Sequence, residues 1–167
     1  HQNSEGLQGT CRGLYDYNTL TSDEAMIPTR GGDWYDGGLW KNLYQHKWSA
    51  NDIYLYDIWK YLYKVIMLSN KSLDDIESHK GALSYDQYKC FTAEVRAIRA
   101  LYYWYAMDMF GNIPLVTSYN VKLEQVVQNK RSEVFQFIVD ELQQAAPLLA
   151  DARSNKAGDY YGRITRP

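Results

Sequence analysis

Glu94-Val95-Arg96-Ala97-Ile98-Arg99-Ala100-Leu101-Tyr102-Tyr103-Trp104-Tyr105, followed by Phe110-Gly111-Asn112-Ile113-Pro114-Leu115-Val116, is the stretch on which the fold turns. Just upstream, Ser84-Tyr85-Asp86-Gln87 has the S-x-x-Q spacing of a capping box, which places a helix start at Ser84. Tyr88, Phe91, Val95, Ile98, Tyr102, Tyr105 and Met109 then recur in steps of three and four, an apolar stripe built partly of tyrosines. Gly111 suits the left-handed residue that ends a helix, and Pro114 prevents resumption. Ala97 and Ala100 are small enough to let another helix approach closely. Ile113–Val116 reads as extended chain after the proline-restricted step.

Two more helices flank this one. The first runs from about Tyr54 to Glu77, with Trp59, Leu62, Ile66, Leu73 and Ile76 on one face. Asn70 lies in that stripe; a buried amide needs partners, so it is expected to tie down a neighbouring loop or helix end. The other runs from about Arg131 to Leu149, with Phe135, Ile138, Leu142, Ala145 and Leu149 as its stripe and Pro147 kinking or ending the last turn. No stretch reads convincingly as sheet. Residues 1–50 read as a loop region and 51–167 as a helical scaffold, together a single all-α region. Antiparallel helix pairs with connecting loops suit a tetratricopeptide-like stack. The polar tail Asp151–Tyr161 reads as an exposed loop, and Thr165 with Pro167 as the opening of another helix. With a start at His1 rather than Met, that ending leads to the expectation that the chain is a piece of something longer.

Composition narrows the function. Eighteen Lys and Arg against twenty Asp and Glu give a net charge of −2, without the basic excess of a nucleic-acid binder. At 46% hydrophobic residues the chain can bury a core, yet no apolar run reaches the ~18 residues of a membrane span. Cys11 and Cys90 are far apart and lack metal-ligand spacing; they allow one bridge, but read better as two isolated small apolar residues. The outlier is tyrosine, at 16 against 4 Phe, with 5 Trp. Tyr and Trp join a flat apolar face to a polar handle, which suits half-wet helix faces and binding surfaces. Thr21–Ser49 concentrates Trp34, Trp40 and Trp48 among the glycine pairs Gly31-Gly32 and Gly37-Gly38. A loop so rich in aromatics is either packed down as a lid or presents a binding surface.

The helix and turn quoted first resemble the central signature of the SusD/RagB family, E-A-x-F-L-R-A-x-x-Y-F-x-L followed by F-G-D-V-P-L-V. Ile98-Arg99 stands where Leu-Arg is usual, and Asn112 replaces Asp. Arg131-Ser132-Glu133-Val134-Phe135 through Ile138, Asp140-Glu141-Leu142 and Ala145 is similar to the family's R-x-x-x-E-V-Y-x-F-I-x-x-D-L-x-x-A. The Trp59, Tyr63, Ile66, Asn70, Leu73, Ile76 series, the Thr21-Ser22-Asp23-Glu24 turn, the Gly31–Gly38 loop and Gly162-Arg163-Ile164-Thr165 resemble further family elements. The match covers nearly the whole chain but only the N-terminal part of a family member, and it is poor over the first twenty residues. The resemblance implies a nutrient-binding lipoprotein on the surface of a Gram-negative outer membrane, without catalytic activity. It implies a glycan ligand and a SusC-like TonB-dependent transporter as partner. It also implies an N-terminal lipid anchor outside this chain; Cys11 lacks the preceding run that would make it the lipid acceptor.

The residues themselves place ligand contacts on Arg30–Trp40. A sugar ring has an apolar C–H face and a rim of hydroxyls. Trp34 or Tyr35 suits the face, Asp33 and Asp36 accept hydroxyl protons, and Arg30 donates in a fork. The alternative for Trp34, and the favoured one for Trp40, is that the indole seals the loop onto the helices; Trp48 and Trp59 read as packing. A protein-interaction scaffold is the second functional reading. A glycoside hydrolase using a carboxylate pair among Asp23, Glu24, Asp33 and Asp36 is the third and weakest, since nothing singles out a pair. His1, His46 and His79 are scattered, with His46 and His79 read as surface or capping residues. No cofactor or metal is expected.

Overall fold

The computed structural model describes residues 13–151 and 162–166. The Cys11–Cys90 question, most of the polar tail and the helix expected at Pro167 lie outside the described residues. The fold is all-α, with five helices among those residues: α1 (Leu14–Leu20), α2 (Leu39–Tyr44), α3 (Ile53–Ser78), α4 (Tyr85–Phe110) and α5 (Arg131–Ala145). The chain forms two compact units, His1–Tyr61 and Leu62–Pro167, dividing inside α3.

In the first unit α1 and α2 pack on each other, two short helices inside the stretch read from sequence as loop. Leu14, Tyr17 and Leu20 of α1 and Leu39, Trp40 and Leu43 of α2 are buried. The Tyr17 hydroxyl donates to Asp52 Oδ1 at 2.7 Å. The same oxygen accepts the Tyr54 N–H at 2.9 Å, so Asp52 serves both as helix cap and as clasp.

In the second unit α4 packs on α5 through small residues. Ala93, Ala97, Ala145 and Leu149 form a buried cluster against which Ile164 packs. Ser84 and Gln87 make both bonds of the capping box, at 3.2 and 3.0 Å. Gly111 ends α4 at φ +72, where a side chain would be strained. Pro147 ends the α5 ladder: the α-helix stops at Ala145 and a single 3-10 turn, Ala146–Leu148, follows.

The helices stand where the sequence puts them, and Leu62, Ile66 and Asn70 of α3 are buried as expected, but the buried face of α4, and in part that of α5, is rotated. On α4 the core side is Ala93, Ala97, Arg99, Ala100, Tyr103, Ala106 and Met107, while the expected stripe from Tyr88 to Met109 is half-buried, with Phe91 exposed. On α5 Ile138 and Ala145 of the expected stripe, and Leu149 beyond the helix end, are buried, joined by Val134 and Glu141, while Phe135 and Leu142 are 56% and 43% exposed. Close approach decides this. Alanines bring the two backbones together, and the bulky tyrosines keep their hydroxyls at the wet edge.

A polar network then straps residues 112–116 across the unit. Arg99 Nε and Nη2 donate to Glu141 Oε2 at 3.0 and 2.6 Å, and Nη1 donates to Asn70 Oδ1 at 2.8 Å. Asn70 Nδ2 donates to the Val116 carbonyl at 2.9 Å, the loop-tying role expected of it. The Tyr103 hydroxyl donates to the same carbonyl and accepts the Val116 N–H, both at 2.7 Å. Burial pushes the Tyr103 phenol up to about 12. Tyr63 donates to the Pro114 carbonyl at 2.7 Å. Contrary to the sheet-free reading, two residue pairs form a minimal antiparallel ladder, Ile113 with Asn129 and Pro114 with Gln128. Asn112 Oδ1 accepts the Arg131 N–H at 2.9 Å, which fixes the entry to α5.

Candidate glycan-binding loop

The loop between α1 and α2 is built from a bridge, a strained turn and a buried anchor. Arg30 and Asp33 exchange both backbone hydrogen bonds, at 3.1 and 2.9 Å, around Gly31-Gly32. Gly31, at φ +61, makes that two-residue turn feasible. The chain then passes through Trp34 at φ +61 and Asp36 at φ +40, left-handed positions that a side chain rarely takes. Gly37 and Gly38, both at positive φ, turn it into α2.

This backbone holds Trp34 and Tyr35 outward, 51% and 58% exposed. Trp40, by contrast, is 2% exposed, as expected of the sealing indole. Its Nε1 donates to Asp36 Oδ2 at 2.7 Å. Trp34 meets Trp40 edge to face, ring centroids 6.1 Å apart and planes at 63°. The two readings of Trp34 thus merge: one part of the indole rests on the buried anchor and the rest faces solvent. Arg30 and Asp33 are exposed beside it.

Trp48, assigned from sequence to packing, is 44% exposed. Its ring lies against His46, centroids 5.5 Å apart. His46 sits at φ +56 just after α2, where its N–H bonds the Leu43 carbonyl and the Lys47 N–H bonds the Asn42 carbonyl, the closure usually given to glycine. Its Nε2 donates to the Thr21 carbonyl at 2.9 Å. Three non-glycine residues at positive φ thus fall within Trp34–His46, each next to or bearing an outward aromatic ring. Such strain collects at ligand clamps. The one signal in the sequence is a third tryptophan in the glycine- and aromatic-rich stretch; α2, which ends just before it, is not readable there. His79 is a capping residue, as expected: its Nδ1 lies 2.8 Å from the Asp75 carbonyl at the end of α3.

The comparisons agree with this architecture. Residues 15–166 match the SusD-like family model described as "Starch-binding associating with outer membrane". The chain is 30% identical over 146 residues to the starch-binding protein SusD of Bacteroides thetaiotaomicron, covering 83% of this chain and 23% of that protein. It is 25% identical over 146 residues to a SusD-like protein of Bacteroides ovatus, covering 84% of this chain and 26% of that protein. A solved laminarin-binding SusD-like protein superposes with a TM-score of 0.70 at 27% identity, over 91% of this chain and 35% of its own. Surface glycan-binding protein A of Bacteroides uniformis gives a TM-score of 0.77 at 20% identity, over 99% of this chain and 35% of its own, and so speaks for the fold. The chain therefore spans about a quarter of the curated relatives it matches and belongs to the SusD/RagB family.

Proposed function

We propose that this chain is the N-terminal region of a glycan-binding protein at the outer-membrane surface. In this reading it captures an oligo- or polysaccharide and passes it to a SusC-like TonB-dependent transporter, and it catalyses no reaction. A lipid anchor outside this chain holds it at the membrane. The observation that carries the reading is the pair of outward rings, Trp34 and Tyr35, on a strained turn braced by the buried Trp40. Rings fixed in this way present a flat apolar face at low ordering cost, the surface that the C–H face of a sugar needs. Arg30 and Asp33 border it with one donor fork and one carboxylate for hydroxyls, while the Asp36 carboxylate accepts the Trp40 indole N–H. Trp48 beside His46 adds a second platform on the same unit. The starch-binding character of the matched family and of one relative, and the laminarin-binding character of another, support a carbohydrate ligand.

The test is retardation of the whole protein in gels containing a panel of plant, microbial and host polysaccharides. Wild-type protein is expected to be retarded by at least one, with Trp34→Ala weakening the effect about tenfold or more. Retardation unchanged in both Trp34→Ala and Trp48→Ala would remove the site from this unit. The scaffold reading keeps one specific support, the exposed apolar side of α5 at Phe135 and Leu142. It expects Trp34→Ala to retain transporter binding while Phe135→Ser loses it.

A further inference from the structure

We propose that Asp36 is a positioning residue, setting the orientation of the Trp34 ring through Trp40 rather than by touching the glycan. This rests on Trp34 being a ligand contact. The bond from Trp40 Nε1 to Asp36 Oδ2, at 2.7 Å, supplies the acceptor that a buried indole N–H requires. An ionised acceptor makes that bond stronger than a neutral one would. It fixes the rotation of Trp40 about its long axis. Trp40 in turn presents its ring to Trp34 at 6.1 Å and 63°, the edge-to-face geometry that aromatic pairs favour. The backbone serves the same end. Asp36 lies at φ +40 and Trp34 at φ +61, so the two residues bracket Tyr35 with a turn that few sequences hold. Carboxylate, buried indole and exposed indole thus form one chain of contacts running outward from the core of the first unit. Without it the Trp34 ring would sample several rotamers and have to be ordered when ligand binds.

The experiment uses the whole protein labelled with 5-fluorotryptophan and read by fluorine NMR without any glycan. The Trp34 and Trp40 resonances are assigned by their loss in Trp34→Phe and Trp40→Phe. Asp36→Ala is expected to move or broaden both, while the Trp59 resonance stays put as a control on folding. Asp36→Asn keeps an acceptor oxygen and tolerates positive φ, and is expected to leave both in place. Against a polysaccharide that retards the wild type, Asp36→Ala should weaken binding roughly three- to tenfold, and Asp36→Asn by less than twofold. If Asp36→Ala does not fold, Trp40→Phe, which deletes the N–H and keeps the ring, should shift Trp34 in the same way. A Trp34 resonance unmoved by Asp36→Ala, or by Trp40→Phe in its place, overturns the proposal. So does an Asp36→Asn variant that binds as weakly as Asp36→Ala with unchanged spectra, since the carboxylate would then act on the ligand itself. If Trp34→Ala binds normally, the ligand reading fails, while the glycan-free spectra still decide whether Asp36 sets Trp34.

Discussion

Arg99 shows how much one side chain holds. Its guanidinium is buried and bonds Glu141 and Asn70 from two other helices. Removing the carboxylate strands a buried cation, at a cost of about 3–5 kcal/mol. Glu141→Ala in the whole protein is expected to lower Tm strongly, and the double change Arg99→Met with Glu141→Leu much less; thermal scans of the two decide. Tyr103 gives a pH signature. Its phenol ionises near about 12 in the fold, against about 10 in an unfolded chain. The stability from the buried site's preference for the neutral phenol, set by desolvation, is whole below pH 10. It then declines as the unfolded chain ionises first, until the folded value is passed. Wild-type Tm should therefore fall between pH 10 and 12 more steeply than that of Tyr103→Phe. Of these residues, Asn70 was legible because an amide in an apolar stripe has to find partners. Arg99 was not: amid Glu94 and Arg96 it looks like one more surface charge, and only its tertiary neighbours show that it is buried.

Among the helices, position came through, and so did part of the rotation: Leu62 and Ile66 on α3 and Ile138 and Ala145 on α5 are buried as their spacing says, whereas α4 turns a different side inward. The capping box, Gly111 and Pro147 are local signals, and they mark the ends of α4 and α5. Which side faces inward depends on the partner helix, and there the alanines of α4 outweigh its tyrosines. Ala97 lies in the cluster with Ala145 and Leu149, so Ala97→Leu is expected to cost about 1–3 kcal/mol by overpacking. Ile98→Leu, one residue along on the half-buried side, should change stability by less than about 1.5 kcal/mol. Urea unfolding of both variants in the whole protein would reverse that order if the expected stripe were the core. The loop before α3 illustrates the same limit. Its glycines and aromatics announced a special surface, but α1, α2 and the outward turn of Trp48 depend on contacts that the local sequence does not state.

For the whole molecule, the two units predict separate responses. Arg99→Met should raise amide exchange at residues 112–116 and in α5 while leaving residues 36–44 unchanged. Tyr17→Phe, which loses the Asp52 clasp, should do the reverse; exchange mass spectrometry separates them. The family match and the helical superpositions carry the fold of the entire described chain, whereas the ligand is a property of rings and loops. Starch, laminarin and other glycans offer much the same C–H face, so their discrimination lies in loop geometry rather than in a motif.

The oxygen of Tyr103 also bears on heredity. Tyrosine and phenylalanine codons differ at a single base, and substitution matrices score the exchange among the mildest. At position 103 that one transversion deletes the atom closing both Val116 hydrogen bonds. A saturation mutagenesis library selected for folded protein should therefore be depleted of phenylalanine at 103 yet tolerate it at half-exposed tyrosines such as Tyr105, so conservation of a hydroxyl, rather than of aromaticity, marks descent with this strap intact.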